Sequence, residues 1–172
     1  KDIVFFWSTM PGDKLFFDFA CDVANHFQDR TVYIKHKRSN NGKIHEGIAF
    51  EKQANIPPNL IETAESAYEL MLKCHYAIST PNSTVPVEAI QYGLKTFVWN
   101  ATENIDFSYY RDFPELCIET SKEFIQKILA LENGEQSYPR QKFSELINLS
   151  ETPVFDIIRK DLEYPENITD IN

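Results

Sequence analysis

Apolar residues along this chain fall into short unbroken runs, separated by stretches in which they recur every three or four positions. The runs are "DIVFFW" at 2–7, "TVYIKH" at 31–36, "NLIET" at 59–63, "YAIS" at 76–79, "KTFVW" at 95–99 and "LCIE" at 116–119. Short length and richness in β-branched and aromatic side chains mark them as strands. Between them, Phe16, Phe19, Ala20, Val23 and Phe27 share one face of a helix predicted over 14–27. Ala67, Leu70, Met71 and Cys74 do the same for a helix over 64–74, with Ser66 or Thr63 as its cap. Val85, Ala89 and Tyr92 line a third helix, which Gly93 is placed to end in the left-handed conformation. Phe124, Ile128 and Leu131 line a fourth, and a further helix is expected around 140–148. Residues 37–55 read as a polar loop, and the Pro57-Pro58 pair bars a helix there.

The strand runs are continuously apolar and do not alternate, which is the pattern of strands covered by helices on both faces. With strand and helix alternating, the reading is a Rossmann-like three-layer α/β/α domain with a parallel sheet of about six strands. That domain spans 1–150, and 151–172 is a mostly acidic tail with one apolar group, "VFDIIRKDL". A chain of 172 residues suits one such domain with a real core. Lys1 and Asp2 lead directly into the first strand, so the chain reads as a fragment whose N-terminal part lies elsewhere.

The net charge is −9, from 26 acidic against 17 basic residues, which argues against a general binder of nucleic acid or anionic membrane. No apolar run approaches the length of a membrane span. Cys21, Cys74 and Cys117 lie far apart in apolar contexts and read as reduced core thiols of a cytoplasmic protein. His26, His45 and His75 have no metal-ligand spacing with each other or with the cysteines, so no metal is assigned. Neither glycine-rich phosphate fingerprint is present.

Ligands of an open parallel sheet sit beyond the carboxyl ends of its strands. Four loops stand there: Ser8-Thr9, Lys35 to Arg38, Ser79 to Thr84, and "NATEN" at 100–104. The stretch "STPNST" at 79–84 places Thr80, Asn82, Ser83 and Thr84 ahead of a helix whose N-terminus carries unpaired N–H groups and partial positive charge. A phosphate could take hydroxyl bonds from Ser83 and Thr84 together with backbone N–H bonds. The plainer alternative makes one of them an N-cap. Glu88, one turn on, either reaches solvent or accepts hydrogen bonds from a sugar's hydroxyls. "KHKR" at 35–38 is the densest basic run of the chain. It is either a solvated loop or, through Lys35 and His36, the group that neutralises a diphosphate.

These residues carry a resemblance. A basic-histidine strand end, a helix-strand unit leading to "AISTPNST", and then "VEAIQYGLKTFVW" are similar to the C-terminal, donor-binding domain of GT-B glycosyltransferases, above all those of bacterial surface-carbohydrate and capsule assembly. The likeness runs over about residues 1 to 148 in element order, and its specific motif is 77–99. It implies transfer of a sugar from a nucleotide-sugar donor to a surface glycan, with no other cofactor. It assigns donor phosphate to Ser83 and Thr84, with Asn82 and Thr80 beside them, and the nucleotide ribose to Glu88. It gives the diphosphate side to His36 and Lys35, and the cleft between domains to Ser8 and Thr9. A missing N-terminal domain would hold the glycan acceptor, leaving this chain inactive alone. Peripheral membrane contact by the full-length protein is compatible with the resemblance. Two other readings stand beside it: half of a nucleotide-sugar 2-epimerase, which shares the two-domain plan, and a non-catalytic α/β binding domain. A flavodoxin-like phosphate loop would need glycine and threonine where "STMPGD" stands, and a receiver-type domain would need acids at the end of "FFWST".

Overall fold

The computed structural model describes residues 1–8, 13–36, 50, 53–81, 83–100, 110 and 113–147, with backbone alone for Asp13 and 144–147. The chain forms two units, Lys1–Tyr138 and Pro139–Asn172. The first contains β1 (Ile3–Trp7), α1 (Asp13–His26), β2 (Val32–His36), β3 (Leu60–Glu62), α2 (Ala67–Lys73), β4 (Tyr76–Ser79), α3 (Val85–Gln91), β5 (Lys95–Trp99), β6 (Cys117–Ile118) and α4 (Ser121–Glu132). In the second, the described part is the helix α5 (Arg140–Ile147). The tail expected at 151–172 lies outside the described residues.

All six strands form one parallel sheet in the order β3-β2-β1-β4-β5-β6. This is the doubly wound Rossmann-like α/β arrangement that the apolar runs predict. β1 lies at its centre and is buried along its whole length. Because side chains of a strand alternate, Ile3, Phe5 and Trp7 enter a core with α1 and α4, while Val4 and Phe6 enter another with α2 and α3.

The α1/α4 side is a lattice of aromatic rings. Phe5 meets Phe16 and Phe19 edge-on at 5.5 Å and Phe124 at 6.2 Å, and Phe97 meets Phe124 at 5.5 Å. Each such pair adds about 1 kcal/mol beyond simple burial. The α2/α3 side uses smaller, unbranched or sulfur-bearing groups, Met71, Cys74, Ala77 and Ala89 among them.

Element ends differ from the sequence expectation where side chains compete for the backbone. α2 starts at Ala67 and not at 64, because Ser66 and Glu69 form a reciprocal capping box. Thr63 instead accepts the Glu65 N–H at 3.2 Å and closes the turn before the helix. β3 starts at Leu60; the Asn59 before it accepts the Val32 N–H through its backbone carbonyl at 2.9 Å, and its side-chain amide donates to the carbonyls of Ala24, Phe27 and Arg30 around the end of α1. β6 is shortened to two residues by the 3-10 turn Pro114–Leu116. The edge of β5 that β6 leaves uncovered is served by Tyr138, whose hydroxyl donates to the Thr96 carbonyl at 2.8 Å and accepts its N–H at 3.0 Å. Gly93 ends α3 at φ 94°, in the left-handed region.

One polar cluster ties the amino-terminal pole together. Arg30 holds Glu132 with two bonds, at 2.9 and 2.7 Å, and the Tyr76 hydroxyl donates to the same carboxylate at 3.1 Å. The two charged side chains are only 11% and 16% exposed. Burial disfavours the Glu132 carboxylate, but the bonds from Arg30 and Tyr76 and the charges of Arg30 and Lys1 outweigh it and pull its pKa down to about 2. Burial and the Glu132 charge push the Tyr76 phenol well up.

A lowered carboxylate pKa stabilises the fold above its unfolded value of 4.5 and ceases to do so as pH falls towards 2. The corresponding stability is about 3 kcal/mol. Glu132→Gln should therefore lose about 3 kcal/mol at neutral pH by urea unfolding. The gap to the parent should narrow by about half as the buffer is taken from about pH 5 to about pH 3, and close only as pH falls below about 2. A gap that does not depend on pH would mean that the pair stabilises by packing alone.

Candidate functional site

Strand order reverses between β1 and β4, so the segments leaving their carboxyl ends diverge and a crevice opens. A cavity of about 520 Å³ lies there. Its walls are Phe6, Trp7 and Ser8 at the end of β1 and Lys35 and His36 at the end of β2. The others are Ala64, Ser66 and Ala67 leading into α2, and Ser83, Thr84 and Val85 leading into α3. Of the residues the sequence nominates, the fold thus brings Ser8, Lys35, His36, Ser83 and Thr84 around one space. Thr9 and Asn82 lie outside the described residues, as do Lys37, Arg38 and 101–104 of the other nominated loops.

The floor is built by hydroxyls that bond the backbone. Thr80 is fully buried and does not line the cavity. Its hydroxyl oxygen accepts the Ser8 N–H at 3.3 Å and its own N–H reaches the Phe6 carbonyl at 3.4 Å, which locks the ends of β1 and β4 together. Ser79, also fully buried, donates to the Thr80 carbonyl at 3.2 Å.

On the α3 side, the Ser83 oxygen accepts the Val85 N–H at 3.2 Å, so Ser83 does serve the start of the helix. A hydroxyl that accepts one bond still has its own proton to donate. The Ser83 carbonyl accepts the hydroxyl of buried Tyr110 at 2.9 Å, which fixes the turn from the far side. Thr84 enters the helix with helical backbone angles and makes no cap. Its hydroxyl donates instead to the Glu88 carboxylate at 3.1 Å. Glu88 is half-buried, one turn behind the cavity wall, and reaches the cavity only through Thr84.

The opposite wall carries the charge. Lys35 donates to the Ala64 carbonyl at 3.3 Å. His36 is 9% exposed and lies nearly flat on the Trp7 ring, with centroids 4.9 Å apart and planes at 27°. Its Nε2 approaches a Glu62 carboxylate oxygen to 3.1 Å, short of hydrogen-bond alignment, and the contact is an ion pair only with the imidazole protonated. Trp7, Glu62 and Tyr110 went unrecognised in the sequence as site residues. Trp7 reads there as plain core, which it also is. Tyr110 sits in a segment with no periodicity. Glu62 did carry a signal: it ends a strand, and neighbouring parallel strands bring their carboxyl ends together.

Among the described residues no group of three acidic, histidine or cysteine side chains is set to hold a metal. None of their helices is long and apolar enough to cross a membrane. All three cysteines are free. Burial and Asp18 push the Cys21 thiol up to about 11, and burial and Asp2 push Cys74 up to about 12. Neither is a thiolate nucleophile near neutral pH.

No family model matches this chain, and no curated protein sequence does. Solved structures do share its fold. The glycotransferase of kitacinnamycin superposes with a TM-score of 0.58 at 8% identity over 95% of this chain and 43% of its own. The spinosyn forosaminyltransferase SpnP gives 0.59 at 14% identity over 95% and 44%. A Listeria monocytogenes protein described as a UDP-N-acetylglucosamine 2-epimerase gives 0.51 at 12% identity over 100% and 48%. The chain thus spans less than half the length of each of these structures. At such identities the likeness is one of fold: a Rossmann-like α/β domain of the GT-B type.

The Thr80 bond gives the site a direct test of its floor. Thr80→Val keeps the shape and orphans the buried Ser8 N–H, and should lose about 1–3 kcal/mol in urea unfolding. Thr80→Ser keeps the oxygen and should lose only about 1 kcal/mol for the missing methyl. Equal losses for the two would assign the role of Thr80 to packing.

Proposed function

We propose that this chain is the donor-binding part of a glycosyltransferase that transfers a sugar from a nucleotide-sugar to a surface glycan. The observation that carries the reading is the cavity at the strand-order reversal, with Ser83 and Thr84 on one side and Lys35 and His36 on the other. In this reading the donor's phosphates lie between the two sides, with hydroxyl and N–H donors from the α3 end and cationic charge from the β2 end. The work of the site is to hold the diphosphate and stabilise the charge it gains as the sugar leaves. Glu88, held by Thr84, meets the ribose hydroxyls one turn farther along. Ser8 lines the cleft towards a further domain, which would bring the acceptor and the catalytic base.

Part of a nucleotide-sugar 2-epimerase is the second reading. The fold likeness to the Listeria protein favours it, and both readings place a nucleotide in the same cavity. They differ in the chemistry that the rest of such a protein supplies.

Calorimetric titration of the chain with UDP, CMP, GDP and CDP tests what the two readings share. One nucleotide should bind, and Ser83→Ala/Thr84→Ala and Glu88→Ala should each weaken it by about ten- to a hundred-fold. Binding that survives both variants moves the site elsewhere, and no binding by any nucleotide to the folded chain overturns the proposal.

A further inference from the structure

The cavity holds one charged contact that the donor-binding reading does not use. His36 ends β2, and Glu62 ends the neighbouring edge strand β3, where the parallel register sets Ile34 beside Glu62. Register alone leaves the two side chains offset by two residues along the strand. They nonetheless meet at 3.1 Å, with the imidazole held between this carboxylate and the Trp7 ring. Glu62 is 31% exposed and does not line the cavity, while His36 does.

We propose that Glu62 is the positioning residue of His36: it fixes the imidazole against Trp7 and favours its protonated form, so that His36 presents a positive charge to an anion in the cavity. The inference deepens the donor-binding reading and rests on it for the anion's identity as a phosphate chain. Burial of an imidazole against Trp7 disfavours its cation, and a carboxylate within 4 Å favours it. Among the described residues, the other charges on these elements are engaged elsewhere or are of the wrong sign, Glu88 on α3 by Thr84 among them. Lys35, next in the strand, is itself positive and works in the opposite direction. Towards α2, Glu65 is taken by Lys73 at 2.6 Å and Glu69 by the Ser66 cap. Ser83 and Thr84 on the α3 wall are neutral, as is Trp7 on β1. Glu62 therefore bears on His36 and acts through it, without touching the bound anion.

The test uses the full chain and two probes, inorganic pyrophosphate and UDP, titrated calorimetrically from about pH 5.5 to about pH 8.5. It compares the parent with Glu62→Gln, Glu62→Asp and, as a control for general surface charge, Glu65→Gln. Alongside, the His36 ring is followed by NMR without ligand, its signals assigned with His36→Asn. In Glu62→Gln the pH at which the ring titrates should fall by about one unit or more, and the pH at which pyrophosphate affinity fades should fall with it. Glu62→Asp should restore part of both, and Glu65→Gln should move neither. Circular dichroism and urea midpoints show that the variants are folded. An unchanged His36 titration in folded Glu62→Gln and Glu62→Asp overturns the inference. So does a titration that moves while the pH profile of pyrophosphate binding stays fixed. If the ring titration and the pyrophosphate profile both move but UDP binds no better than pyrophosphate, the role of Glu62 stands and the donor-binding reading fails.

Discussion

Burial of β1 on both faces is the constraint that organises this domain. Five consecutive apolar residues, three of them aromatic, leave no edge or face that water can cover. Both faces must then be roofed by helices, and helical crossovers are what join parallel strands. With β1 central and β2 and β4 on either side of it, the chain winds one way to β3 and the other way to β6. That reversal is a consequence of covering β1, and it is also what opens the crevice at its carboxyl end. The core and the site have one cause.

The two faces are not equivalent, and the difference reaches the cavity. On the α1/α4 side, Phe5, Phe16, Phe19, Phe97 and Phe124 interlock edge to face, an arrangement that tolerates little movement. Trp7 belongs to this lattice through Phe16, at 5.4 Å, and also carries His36 on its other contact. The position of the histidine is thus set by the rigid side of the core. The α3 wall is held differently, by the bonds from Ser83 to Val85, from Tyr110 to Ser83 and from Thr84 to Glu88. One wall is held by ring packing and the other by hydrogen bonds.

Nearly all of the architecture was legible because it is written in local periodicity. "YAIS" and "KTFVW" became strands with the expected bounds, "DIVFFW" became one that starts a residue later, and the apolar face of 14–27 became α1 within one residue at each end. Some element ends were moved by local bonds, as Ser66 and Glu69 move the start of α2, but other ties join side chains to targets distant in sequence: Asn59 to the end of α1, Tyr138 to Thr96. No window of sequence contains both partners of such a bond. The same holds in the site. Ser8, Lys35, His36, Ser83 and Thr84 were visible because each stands at or just past the end of a strand, and a parallel sheet gathers those ends on one side. Thr80 was visible too, but not the inward turn of its hydroxyl, which depends on β1 lying beside β4. The tie from Tyr110 to Ser83 had no local signature at all.

An acidic chain with a proposed anion site in its crevice poses an electrostatic question that net charge cannot answer. At physiological salt a charge is felt over only about 8 Å, so the local balance around the crevice decides. Among the described residues, several carboxylates are already engaged: Glu132 by Arg30 and Tyr76, Glu65 by Lys73, Glu69 by the cap of α2, Glu88 by Thr84. Glu132 lies at the far pole of the sheet, and each of the other three is bonded to a donor close by, so that it contributes less field to the cavity than a bare charge would. Glu62 differs in kind, since its partner is a group that can lose its charge. In the proposed reading, a carboxylate at that position favours a cation at His36 over a neutral ring. A purely structural stack on Trp7 gains little from protonation, whereas an anion in the cavity gains a full unit of opposite charge in a partly desolvated space, where that charge counts for several times what it does in water.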